Sequence, residues 1–140
     1  MKRRRVKITG IGPVTPAGIG REEFWKGILE PVSRIRPYTK LEPEFGPFVA
    51  AYLDRFSVEH FVPKSSVPKG AARHTLFGIA GSVLALRDAG LSASDLNRHN
   101  TIIVVGACVM DFDGIIRTVD AVGAKGPRGA LGRAVYSTNG

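Results

Sequence analysis

At 140 residues, the chain has the length of one domain, residues 1–140, and enough material to bury a core. Its 44% hydrophobic and 23% charged residues exclude a disordered polymer, and no apolar run reaches the length of a membrane span. The formal net charge of +8 favours an acidic partner through long-range attraction.

Nucleic acid and an acidic carrier protein are the two candidates, beside a solvated basic terminus that meets no partner. Nucleic acid is the weaker of the two, because no aromatic residues interleave with the basic run and no known binding module is visible. The chain opens on Met1-Lys2-Arg3-Arg4-Arg5, basic like the start of a secretory signal. The apolar stretch that follows, Val6 to Ile11, is short and is broken by Lys7 and by glycines. A secretory signal needs a longer apolar core and a cleavage site, so a cytoplasmic location is expected. The single cysteine, Cys108, forms no internal disulfide, in keeping with a reducing compartment.

Val6 to Ile11 alternates enough, with β-branched residues, to predict a strand, and Gly10-Ile11-Gly12-Pro13 predicts the turn that ends it. Arg21 to Leu29 predicts a short helix with Phe24, Trp25, Ile28 and Leu29 on one face. Pro31 and Pro37 then break regular structure. Phe48 to Leu53 reads as a short strand, with Asp54-Arg55-Phe56 as the turn after it. The clearest helix is Ala71 to Ala89, where Leu76, Ile79, Ala80, Val83, Leu84 and Leu86 make a wide apolar stripe. Its small residues, Gly78, Ala80, Gly81 and Ser82, admit another backbone at close range. Gly90 is a natural stop for this helix, and Ser92 to Asp95 fits a capping box with Asp in the last place. Thr101 to Val105 predicts a strand buried on both faces, ended by Gly106. A helix is expected from about Asp111 to Val122. The glycine-rich, basic tail from Gly123 has no assignment. The order of these elements gives an α/β domain with helices against a sheet.

Few motifs carry chemistry. Gly10-x-Gly12 after a strand is two-thirds of a dinucleotide fingerprint, but Thr15 stands where the third glycine belongs, so a tight turn is the better reading. Cys108 has no histidine near it in sequence, and a reactive thiolate needs a base or a dipole. A buried structural role fits it better, although His60, His74 or His99 could approach in space. Asp111 and Asp113 suit a helix start, where acids are favoured, better than an acid/base pair. The histidines share no metal-ligand spacing, and there is no nucleophile elbow or phosphate loop. No metal or cofactor is expected.

Several stretches, kept in order, resemble the N-terminal region of the thiolase-fold condensing enzymes, in particular the elongating type II β-ketoacyl-[acyl carrier protein] synthases. Arg5-Val6-Lys7-Ile8-Thr9-Gly10-Ile11-Gly12-Pro13-Val14-Thr15-Pro16-Ala17-Gly18 is similar to the family's first strand and loop. Gly20-Arg21-Glu22-Glu23-Phe24-Trp25 continues the match. Arg73 with Ala85-Leu86-Arg87-Asp88-Ala89-Gly90-Leu91 resembles the family's long helix, Thr101 to Gly106 its next strand, and Lys125-Gly126-Pro127-Arg128 a further landmark. The resemblance implies an α/β fold, the incomplete N-terminal half of a layered sandwich with a mixed sheet and packed helices. It also implies an enzyme lineage that works as a dimer and condenses an acyl group with malonyl held on acyl carrier protein. That chemistry uses a cysteine nucleophile at a helix N-terminus, two histidines, and donors for the developing oxyanion.

The same resemblance puts the nucleophile beyond Gly140 and both histidines further on, so no catalytic residue is assigned here and no turnover is expected from this chain alone. Cys108, Val109 and Met110 stand where the family usually has Gly-Ser-Gly-x-Gly-Gly, and by position they line the acyl pocket. Arg3, Arg4, Arg5 and Lys7 are the expected contacts for acyl carrier protein or another acidic partner. A completing ketosynthase chain or dimer partner is expected as well. Leu131-Gly132-Arg133-Ala134, where the family often has Ser-Pro-Phe-Phe, and Ala72, where an Asp commonly precedes Arg73, mark a divergent relative of secondary-metabolite type. The competing reading is a non-catalytic protein that keeps the scaffold to bind carrier protein or a ketosynthase. Either way, strands without neighbours and an apolar, exposed face are expected.

Overall fold

A computed structural model describes residues 5–39, 44, 46–97, 100–107 and 111–129. The first regular structure is a small hairpin. Strands β1 (Val14–Thr15) and β2 (Gly18–Ile19) pair antiparallel, with Val14 opposite Ile19. The turn between them is Pro16-Ala17, where proline pre-sets the backbone. The Thr15 hydroxyl accepts from the Ala17 amide at 3.2 Å and donates to the Gly18 carbonyl at 3.1 Å. Helix α1 (Arg21–Leu29) follows at once. It packs so closely on the hairpin that a Cβ on Gly27 would lie 1.8 Å from the Ala17 carbonyl oxygen.

A second antiparallel hairpin joins β3 (Arg36–Tyr38) to β4 (Phe48–Ala50), with Arg36 opposite Ala50 and Tyr38 opposite Phe48. Its outer surface is knit by polar and aromatic contacts. The Arg36 guanidinium bonds Asp54 at 2.6 Å and lies 3.9 Å from the centre of the Tyr52 ring. Tyr52 in turn meets Tyr38 edge to face. Two short 3-10 turns, Val58–His60 and Lys64–Ser66, lead to α2 (Arg73–Asp88). Phe77 of α2 meets Phe56 edge to face at 4.7 Å, and Arg73 donates to the Leu53 carbonyl at 2.6 Å. These contacts tie the start of α2 to the loop after β4.

The end of α2 is a Schellman motif. Gly90 takes a φ of +69°, the Leu91 amide reaches back to the Leu86 carbonyl at 2.8 Å, and the Gly90 amide to that of Arg87 at 3.1 Å. The expected capping box is present at α3 (Ala93–Leu96). The Ser92 amide and hydroxyl both donate to the Asp95 carboxylate, which holds that carboxyl below its ordinary value, the hydroxyl more than the amide. Helix α4 (Phe112–Lys125) is capped by Asp111, whose carboxylate accepts from the Gly114 amide at 3.1 Å. A last 3-10 turn, Gly126–Gly129, folds back on α4, with a Cβ at Gly129 only 2.0 Å from the Ala121 carbonyl oxygen.

Three expectations need correction. Val6 to Ile11 and Thr101 to Val105 form no strand, and among the described residues no backbone–backbone hydrogen bond pairs Val6–Ile11 or Ile102–Val105 with a neighbouring strand. β-propensity expresses packing against neighbouring strands, and among the described residues no strand lies beside either run. The described sheets are therefore two antiparallel pairs, with no mixed sheet among the described residues. The turn expected at Gly10 to Pro13 lies instead at Pro16-Ala17. The apolar face of α1 is largely uncovered, with Trp25 59% and Leu29 66% exposed. Helices and small sheets fit the α/β class at this coarse level. The buried hydrophobic side chains among the described residues are Val58 and Ala80. Among these residues, no helix is long and apolar enough to cross a membrane.

Candidate functional site

The basic head is positioned from Gly10 onward. A Cβ on Gly10 would stand 2.2 Å from the Ala85 carbonyl oxygen, and one on Gly12 1.9 Å from that of Gly81. The two glycines thus let the N-terminal segment lie directly on the small-residue stripe of α2. Close backbone approach, and neither a nucleotide cradle nor a turn, is what Gly10-x-Gly12 provides. Gly81 belongs to the stripe that the sequence marked for this purpose, whereas Gly78 faces open space.

One side chain fastens the crossing. The Asp88 carboxylate accepts from the Ile11 amide at 3.0 Å and pairs with Arg21 at 2.8 Å. It therefore joins the N-terminal segment, α1 and α2 at one point, with its own side chain 15% exposed. Arg21 also bonds Glu22, and Glu22 first and Asp88 second push the guanidinium above its ordinary value. Sequence reasoning did not single out Asp88. Its signal was available, since an acid in the last turn of a helix sits against the negative end of the dipole and needs a compensating partner.

Outside this fastening, Arg5 and Lys7 are exposed, as an acidic partner requires. They alternate with Val6 and Ile8, which are 92% and 86% exposed. Arg3 and Arg4 lie outside the described residues, as do Cys108, Val109 and Met110. The segment leading to the last three is exposed throughout, from 85% at Ile102 to 80% at Val105, and Asp111 starts α4 just beyond them. His60 and His74 are exposed on separate elements, and His99 lies outside the described residues. Among the described residues, no three His, Cys, Asp or Glu side chains converge on a point that could hold a metal ion. Asp111 and Asp113 occupy the N-cap and first turn of α4, the helix-start positions that the sequence indicated.

The described geometry thus presents a basic, partly apolar head, fixed on α2 by glycines and Asp88, and a second exposed apolar run before α4. Neither assembles a nucleophile with a base. The lineage is given by comparison. Residues 3–135 match the family described as "Beta-ketoacyl synthase, N-terminal domain". The chain is 31% identical over 132 residues to "3-oxoacyl-[acyl-carrier-protein] synthase 2" of Vibrio harveyi, an alignment covering 91% of this chain and 31% of that protein. It is 27% identical over 127 residues to "Granaticin polyketide putative beta-ketoacyl synthase 2" of Streptomyces violaceoruber, covering 89% and 30%. A third relative, "Putative polyketide beta-ketoacyl synthase 1" of Streptomyces virginiae, is 32% identical over 123 residues, covering 85% and 29%. The chain spans about a third of the length of these curated relatives, and what it matches in them is a ketosynthase's N-terminal portion. The chain belongs to the β-ketoacyl synthase family.

Proposed function

We propose that residues 1–140 act as the N-terminal domain portion of a 3-oxoacyl-[acyl carrier protein] synthase, working in the cytoplasm in fatty-acid or polyketide synthesis. The observation that carries this reading is the family match across residues 3–135, with the glycine crossing and Asp88 fastening inside the matched motifs. The reaction is decarboxylative Claisen condensation of acyl and malonyl thioesters. By the resemblance, its thiolate nucleophile and histidines belong to further polypeptide that completes the enzyme, and this chain by itself turns over nothing. In the completed enzyme, the exposed runs at Val6 and at Ile102 become strands of a layered sandwich, and Cys108, Val109 and Met110 line the acyl pocket. The pocket assignment rests on sequence position. Arg3, Arg4, Arg5 and Lys7 meet the acidic carrier protein. The test is condensation of acyl and malonyl carrier protein by this chain alone and with candidate completing chains. Turnover by the chain alone overturns the placement of the nucleophile. Failure with every completing chain that it binds overturns the catalytic role.

The exposure of Arg5 and Lys7 and the net charge of +8 favour one alternative, a non-catalytic protein that retains the scaffold to hold carrier protein or a ketosynthase subunit. Such a protein binds acyl carrier protein in a salt-sensitive manner while adding nothing to condensation. A pull-down that shows no salt-sensitive capture removes this alternative.

A further inference from the structure

The β3–β4 hairpin stands apart from the helices. No residue of either strand is buried, and each strand packs chiefly on the other. The chain is pinned to the helices on both sides of it. Before β3, Arg34 donates to the Gly27 carbonyl of α1 at 3.1 Å and pairs with Glu30. After β4, the Leu53 carbonyl accepts from Arg73 of α2 at 2.6 Å, and Phe56 lies edge to face on Phe77. Between these pins, one side chain closes the neck of the hairpin. Arg36, at the start of β3, donates to the Tyr52 carbonyl at 3.3 Å and to the Asp54 carboxylate at 2.6 Å, while its guanidinium covers the Tyr52 ring. The Tyr52 hydroxyl donates back to the Pro37 carbonyl at 3.2 Å.

We propose that the paired strands β3 and β4 form an arm that opens as one unit, with Arg36 and Asp54 as its latch, while α1 and α2 stay in place. A two-stranded hairpin with no further strand or apolar layer to support it is marginal in water, and β3 and β4 have no third strand beside them among the described residues. Such units open at free energies below that of global unfolding. The latch is 46% exposed at Arg36 and 42% at Asp54, so salt screens it. The pins at Arg34 and Arg73 lie outside the strands and need not break when the arm opens. Opening separates the strand edges and the rings of Tyr38 and Tyr52, which meet edge to face at 4.9 Å in the closed arm. This inference stands on the geometry of the hairpin, and it holds whether or not the chain serves a condensing enzyme.

The test is native-state hydrogen exchange of the full chain, read amide by amide by nuclear magnetic resonance at low denaturant. The amides of β3 and β4 are expected to share one opening, faster and with a shallower denaturant dependence than the amides of α2. Asp54→Asn is expected to speed their exchange by about threefold, the scale of an exposed ion pair, and to leave α2 unchanged. Added salt should speed the wild-type arm toward the rate of the variant. Arg36→Gln takes the place of Asp54→Asn if that variant does not fold. Glu59→Gln, which removes the exposed pair with Lys64, is the control and should leave the arm unchanged. Hairpin amides that exchange as one unit with those of α2 overturn the proposal. So does an Asp54→Asn variant that leaves the arm unchanged or speeds α2 equally, or a Glu59→Gln control that speeds the arm as much.

Discussion

Alanine at Gly12 and at Gly78 should move stability in opposite directions. Gly12 has no left-handed backbone, so an alanine with room would stabilise by about 0.4–1 kcal/mol through the unfolded chain. There is no room, because the new Cβ would lie 1.9 Å from the Gly81 carbonyl oxygen and 2.7 Å from the Ala85 nitrogen. A relaxed carbon–oxygen contact is about 3.3 Å, so the N-terminal segment and α2 must separate by about 1.4 Å. Overpacking that forces such a backbone shift costs about 1–3 kcal/mol. With a loss of about 2 kcal/mol and a slope of about 1.5 kcal/mol per molar, the urea midpoint falls by about 1.3 M. Gly78 lies on α2 with nothing within 4 Å of its would-be Cβ. Alanine there gains about 0.8 kcal/mol of helix propensity and raises the midpoint by about 0.5 M. The assay is urea unfolding followed by far-ultraviolet circular dichroism, because Trp25 is 59% exposed and its fluorescence reports folding weakly. A Gly12→Ala variant as stable as the parent refutes the crossing, and a destabilised Gly78→Ala variant refutes the orientation of α2.

Asp88→Ala removes the acceptor of the Ile11 amide and should cost about 1–2 kcal/mol, read as a lower urea midpoint. Arg21→Ala should cost less, since its guanidinium is largely solvated and exposed ion pairs contribute little. Asp111→Ala strips the cap from α4 and should cost about 1 kcal/mol, seen as reduced ellipticity at 222 nm. The Asp95 carboxyl should titrate below the ordinary value of an aspartate when followed by the nuclear resonance of the Ser92 amide. Because its folded value is lowered, its stabilising effect on α3 is complete above the ordinary value and is lost as pH falls through the lowered one. Ser92→Ala removes the stronger of its two donors and should move the midpoint back up. A midpoint unmoved by Ser92→Ala would show that the hydroxyl plays no part.

Local rules made the helices legible. α1 matches the sequence reading from Arg21 to Leu29, and α2 differs from it by two residues at the start and one at the end. Gly90 and the Ser92 to Asp95 box stop and start helices as their chemistry requires. These signals act within a few residues, so sequence alone carries them. The strand readings failed at Val6 and at Thr101 because a strand exists only in a ladder, and a ladder depends on residues far away or on other polypeptide. Asp88 was missed for a related reason. Its partners, Ile11 and Arg21, are distant in sequence, and only the unfavourable place of an acid at a helix end marks it. Of the candidate site, Arg5 and Lys7 are exposed, and their role toward an acidic partner rests on charge and resemblance. The pocket positions Cys108, Val109 and Met110 rest on resemblance alone.

The glycine crossing also sets an order of events during synthesis. Ile11 and Asp88 are 77 positions apart. A ribosome adding about 5–20 residues per second takes about 4–15 s to cover that interval. Throughout it, the head of the nascent chain has neither the α2 surface nor the Asp88 carboxylate to settle on. Gly10 and Gly12, which later press against α2, are open to solvent through that interval, whereas Val6 and Ile8 are exposed in the folded chain as well. The crossing can therefore form only after Asp88 has been added, and the Ile11 amide should gain protection from exchange late in synthesis.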